Sequence, residues 1–166
     1  MTPEMVDKAA KNARNGKYEN VEFRLGEIES LPVADSCIDV IISNCVINLS
    51  PEKEKVFAEA FRVLKPGGRL MVSDIVISKE LPPVIKRSIA GYLGCLSGAV
   101  MKDVYINMIK SAGFRDIKII DETSFPVEYM ENDPTAQAII GDLKVSHKDI
   151  EEAAKSVTSI KVSAIK

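Results

Sequence analysis

The sequence predicts an α/β domain with a mainly parallel sheet. Short apolar runs of strand length alternate along the chain with stretches of helical apolar spacing. The central runs, residues 38–43 and 69–77, are rich in β-branched residues, as strands inside parallel sheets are. The last run, residues 157–165, has no helix after it. It is expected as the one antiparallel strand that many such sheets carry.

Each element has a local reason. Thr2 can cap a helix, Pro3 suits its first position and Glu4 favours its positive end, so a helix runs to about residue 14 and stops at Asn15-Gly16. Residues 21–25 alternate apolar and polar and predict a strand, with residues 26–32 as the loop that leaves it. Residues 38–43 predict a strand buried on both faces. Ser50-Pro51-Glu52 opens a second helix, on which Val56, Phe57, Ala60, Phe61 and Leu64 share a face. Lys65-Pro66-Gly67-Gly68 closes it with a tight turn before the strand at 69–77. An irregular helical segment is expected over about 83–98, loosened by Gly91, Gly94 and Gly98. A helix over about 101–111 ends at Ala112-Gly113, a strand covers 117–120, and one or two helices fill about 134–155 after a loop. No internal repeat or linker divides the chain.

Composition excludes several classes of function. The 166 residues hold 22 Lys+Arg against 24 Asp+Glu, a formal net charge of -2. A nucleic-acid surface would be clearly basic. No apolar run approaches the ~20 residues of a membrane helix, and the polar, charged N-terminus is not that of a signal peptide. The 3 cysteines, an odd count, point to thiols in a reducing, cytoplasmic setting.

In α/β sheets ligands bind outside the carboxyl ends of strands. That singles out Gly26-Glu27-Ile28, Asn44-Cys45 with the residues after it, and Ser73-Asp74. Cys45 has two readings of equal weight, a reactive thiol or a small buried residue. Cys95, flanked by Gly94 and Gly98, reads by itself as a tight helix contact; with Cys45 it makes a thiol site arguable, since soft thiolates select soft acceptors. Glu27 reads first as a solvated loop carboxylate that could accept from an adenine amine. Cys37 reads as structural and His147 as a surface residue. No zinc spacing, catalytic triad, P-loop or Gly-x-Gly-x-x-Gly is present.

Residues 64–70, with the Lys-Pro-Gly-Gly turn, resemble the post-helix turn of class I S-adenosylmethionine (SAM) methyltransferases. More specific is Ile42-Ser43-Asn44-Cys45-Val46-Ile47-Asn48-Leu49-Ser50-Pro51, which resembles the signature of arsenite methyltransferases. Residues 26–32, 92–99 and 156–162 fit the same family in the same order. The resemblance implies a Rossmann-like three-layer sandwich with its first two strands missing, a single N-terminally incomplete domain over 1–166 with an extension at about 123–155 before the last strand. The glycine-rich loop for the methionine part of SAM, the ribose-binding acid and a further upstream cysteine are the parts lacking.

The implied function is enzymatic: SAM-dependent methylation of trivalent arsenic, as arsenite or its thiol conjugates, in detoxification. Cys45 and Cys95 match arsenic ligands; Met1, Glu27, Ile28 and Asn44 match the cofactor side; a thiol reductant is a further partner. Thiolate-bound arsenic keeps a lone pair that attacks the SAM methyl, so positioning replaces a general base. The chain alone is expected to be inactive or impaired. Two alternatives stand beside this: a methyltransferase of a small organic carbon or oxygen substrate, and a non-catalytic thiol- or arsenite-binding remnant. With two strands lacking, the 38–43 strand would present an apolar edge. Either the 21–25 strand and first helix shift, or a second copy covers the edge.

Overall fold

The computed structural model describes residues 2–80, 98–124 and 155–166. The elements there are α1 (Pro3–Asn15), β1 (Ile38–Asn44), a single 3-10 turn (Ile47–Leu49), α2 (Lys53–Val63), β2 (Leu64–Ile77), α3 (Lys102–Ser111), β3 (Arg115–Ser124) and β4 (Val157–Ile165). The strands form one sheet in the order β1-β2-β4-β3. β1 runs parallel to β2, while β4 runs antiparallel to both β2 and β3. The last strand is thus the one reversed member of the sheet, as its sequence position implies.

Helix α1 starts where its residues predict. Thr2 accepts from the Met5 N–H, and Pro3 lies in the first turn. The Lys-Pro-Gly-Gly turn does not precede β2 but lies within it. Ile38 pairs with Leu64 and Val40 with Arg69, so the turn is a bulge on β2 opposite β1. Gly67 has φ +82°, a conformation that favours glycine. Its N–H donates to the Lys166 carbonyl, and the Lys166 N–H donates to the Gly68 carbonyl, which ties the bulge to the chain end.

Core residues alternate along the two central strands. Leu70, Val72 and Val76 of β2 and Ile160, Val162 and Ala164 of β4 share one buried cluster with Phe57 and Ala60 of α2 and Tyr105 and Ile109 of α3. Phe57 meets Tyr105 edge to face at 5.3 Å, which joins α2 to α3 over that face, and Phe61 meets Phe114, between α3 and β3, at 5.2 Å.

Three further sequence expectations are corrected. Residues 21–25 form no strand, and Val21, Phe23 and Leu25 are exposed. Alternation makes a strand only where a neighbour takes up its backbone hydrogen bonds, and none is paired here. β1 is not buried on both faces: Val40 is 50% and Ile42 81% exposed, because among the described residues nothing covers the face they share, whereas Ile41 packs against the core. The second helix begins at Lys53 rather than at Ser50, since residues 47–49 form a 3-10 turn first. The expected helical segments at 83–98 and 134–155 lie almost entirely outside the described residues.

Candidate active site

β1 ends at Asn44, which pairs with Ser73, but β2 continues to Ile77. The chain leaves β1 through Cys45, whose N–H donates to the Ser73 carbonyl at 2.9 Å. Cys45 has φ +52°, a left-handed conformation rare for a residue with a side chain. Such strain costs on the order of 1–3 kcal/mol and is concentrated at ligand-binding positions. Cys45 is half-buried, while Asn44 beside it is exposed.

The segment after Cys45 is pinned from below. Asn48 is 1% exposed, and its Nδ2 donates to the Ile75 carbonyl at 2.6 Å. Lys53, at the start of α2, donates to the carbonyls of Asn48 and Ser50 at 3.3 and 2.9 Å. Gly98 packs against the same turn so closely that a Cβ there would lie 2.0 Å from the Asn48 carbonyl oxygen. Only glycine fits that approach.

The loop carrying Glu27 and Ile28 is held to this segment. Ser50 Oγ makes a short hydrogen bond to the Glu29 carboxylate. The Leu31 N–H donates to Glu59 at 2.8 Å. Arg62 of α2 donates to the carbonyls of Leu31 and Val33 at 3.1 and 2.9 Å, and also to Glu59 and Asp35. Ile28 packs half-buried against the core, and Glu27 is exposed in a turn closed on Ser30. The structure therefore joins the Glu27–Ile28 loop to the turn that follows Cys45.

Of the other singled-out residues, Cys37 is exposed and its thiol donates to the Ala34 carbonyl at 3.0 Å, in keeping with a structural role. Met1, Cys95 and His147 lie outside the described residues. Among the described residues no group of three or more His, Cys, Asp and Glu could hold a metal ion, and no helix is long and apolar enough to cross a membrane.

The residue sequence reasoning underrated is Asp74. It is fully buried on the core face of β2, between Val72 and Val76. Tyr105 Oη donates to its Oδ2 at 2.6 Å. Among the described residues nothing donates to its Oδ1, nor to Asn48 Oδ1. Burial pushes the Asp74 carboxyl up to about 6, against the opposing pull of the Tyr105 hydroxyl and the Lys53 charge. Burial first, and then the charge of Asp74, raise the Cys45 thiol. The signal was an acid at a position that the two-residue alternation assigns to the core.

Residues 1–113 match the profile of a family described as methyltransferase domain. An arsenite methyltransferase of Halobacterium salinarum is 48% identical over 119 residues, which cover 72% of this chain and 30% of that protein. The human arsenite methyltransferase is 35% identical over 128 residues, covering 75% and 33%. Among solved structures, an arsenic(III) S-adenosylmethionine methyltransferase from Chlamydomonas reinhardtii is 30% identical with a TM-score of 0.75, over 100% of this chain and 53% of that one. The YcgJ protein of Bacillus subtilis shares the fold at 21% identity, with a TM-score of 0.74. The chain spans about a third of the length of these curated arsenite methyltransferases.

Proposed function

The chain belongs to the methyltransferase domain family, and we propose that it serves the SAM-dependent methylation of trivalent arsenic, taken as arsenite or its thiol conjugates. One observation carries the reading: the half-buried Cys45 thiol stands on strained backbone at the carboxyl end of β1, where ligands of α/β sheets bind. Trivalent arsenic is thiophilic, and a thiol there is the donor it seeks.

In this reading Cys45 and Cys95 hold the arsenic. Each thiol proton leaves with a displaced hydroxide as water, and the arsenic stays trivalent with its lone pair. Met1, Glu27, Ile28 and Asn44 face the cofactor. The donor set present suits an adenine: the exposed Glu27 carboxylate can accept from an amine, Ile28 offers an apolar contact, and the exposed Asn44 amide both donates and accepts. When bound, SAM supplies an electrophilic methyl group. The chain's own work is to orient the arsenic and shield it from water, which needs no general base.

The sequence holds no glycine-rich turn to cradle the rest of the cofactor, so SAM binding to this chain alone is weak or absent and its activity impaired. In this reading residues 1–166 belong to one methyltransferase domain of which they form a part, and the chain self-associates through the β1 edge. A thiol reductant keeps the cysteines competent in the cytoplasm, where methylation serves arsenic detoxification.

Equilibrium dialysis with arsenite tests the site. Cys45→Ser and Cys95→Ser each weaken binding by about tenfold or more, and Cys37→Ser leaves it unchanged. Equal binding by all three variants overturns the assignment. Calorimetric titration with SAM checks the cofactor statement, and ordinary tight binding to this chain alone would refute it. Arsenite binding without methyl transfer, even when a glycine-rich cofactor-binding segment is supplied, would favour the non-catalytic alternative.

A further inference from the structure

Asp74 has features that the packing of the fold does not require. A fully buried carboxylate stands where Val72 and Val76 continue the core, cross-strand from Ile160. Leaving a buried acceptor without a donor is costly, and such groups in folded proteins call for an explanation. Oδ2 is turned to Tyr105 Oη, but Oδ1 has no partner among the described residues. The sheet register explains where Asp74 stands. The β1–β2 ladder ends at Asn44 and Ser73, so Cys45 and Asp74 are the next residues at the same end of the two strands. The Cys45 N–H to Ser73 carbonyl bond holds them side by side. Asn48, three residues after Cys45, brings a second fully buried acceptor without a donor, its Oδ1. Among the described residues the Lys53 ammonium faces this group, and its hydrogen bonds to backbone carbonyls hold it in place.

We propose that Asp74 reads the oxygen of the ligand that Cys45 holds: its Oδ1 accepts a hydrogen bond from a hydroxyl still carried by trivalent arsenic. This rests on the arsenic reading above and names the species taken. The step is an exchange of ligands. The Cys45 S–H bond and one As–OH bond break, an S–As bond forms, and the thiol proton leaves with the hydroxide as water. No electron is transferred. One or two hydroxyls remain on the arsenic, and each is a donor for an acceptor that lacks one. The same carboxylate repels oxyanions, so the site selects neutral hydroxylated arsenic(III) over arsenate or phosphate. Tyr105 is a positioning residue, since it fixes the carboxylate through Oδ2.

Two thiol-seeking probes separate this role from a structural one. Arsenite keeps a hydroxyl after binding a thiolate. Methylmercury gives up its one hydroxide on binding and has none left to donate. Both are measured on the full chain carrying Cys37→Ser, with methylmercury in competition with glutathione. In Asp74→Asn the amide oxygen takes the Tyr105 hydroxyl, which turns an NH2 donor toward the ligand. Arsenite affinity then falls about tenfold or more, while methylmercury affinity changes by less than about twofold. Tyr105→Phe shows the same split, several-fold in size, and decides the matter if Asp74→Asn does not fold. Unchanged arsenite affinity, or an equal loss for both probes, overturns the proposal and leaves the arsenic reading standing. Binding of methylmercury but not arsenite before Asp74 is changed overturns the arsenic reading itself.

Discussion

Asp74 shows how one side chain can be costly to the fold and useful to the site. Its folded carboxyl is pushed up to about 6 from 3.8, with burial as the main cause. The folded state therefore takes up this proton as pH falls through about 6, before the unfolded chain does. The contribution is stabilising below the unfolded value and is lost as pH rises through about 6. The difference corresponds to about 3 kcal/mol at most. Asp74→Asn removes the ionisation and keeps an acceptor for Tyr105. Its stability advantage over the parent chain is expected to be small near pH ~4 and to grow toward pH ~7. Urea unfolding of both proteins at the two pH values checks this, and a pH-independent difference would refute it. Asp74→Asn is thus expected to be more stable and bind arsenite less well, the usual trade at a functional position.

Helix α2 organises the site as an element. One face carries Phe57 and Ala60 into the core, and the other presents Glu59 and Arg62 to the loop that bears Glu27 and Ile28. The loop has almost no regular structure to satisfy its own backbone, so these side chains do so. Arg62 holds the carbonyls of Leu31 and Val33, and its guanidinium beside Glu59 keeps that carboxyl below its ordinary value. Arg62→Ala should speed amide hydrogen exchange across residues 31–37 while leaving β2 and β4 protected. Unchanged exchange in that loop would show that the contacts do not hold it. The two roles of α2 were legible to different degrees. The apolar face follows from helical spacing. The loop contacts do not, because Arg62 and Asp35 are 27 positions apart and only the fold brings them together.

At the scale of the molecule, the described residues leave one edge of the sheet open. Among the described residues β1 is paired on one side only, and Ile42 is 81% exposed. No residue of α1 is buried, and the apolar side chains at 21, 23 and 25 are exposed as well. An apolar edge of this kind templates pairing with another chain. Sedimentation of the chain should show association that increases with concentration, and Ile42→Lys should reduce it with little loss of stability, since the side chain is already in solvent. A chain that stays monomeric at all concentrations would rule out the edge as an interface.

The sequence by itself determined the class of the fold, the reversed last strand and the position of Asn44-Cys45 at a strand end. These follow from periodicity, turn chemistry and chain order, which are local properties. It also carried the resemblance that the relatives bear out. Tertiary structure decided what depends on neighbours. Residues 21–25 alternate as a strand does, yet with no paired strand they remain irregular. Residues 38–43 are apolar enough for a buried strand, yet they lie at an edge. Asp74 could be read from sequence as a residue near a strand end. Only the register, with β2 running past the end of β1, set Asp74 in the core next along from the strand end that Cys45 leaves. Burial and pairing are sums over distant parts of the chain, and no window of residues contains them.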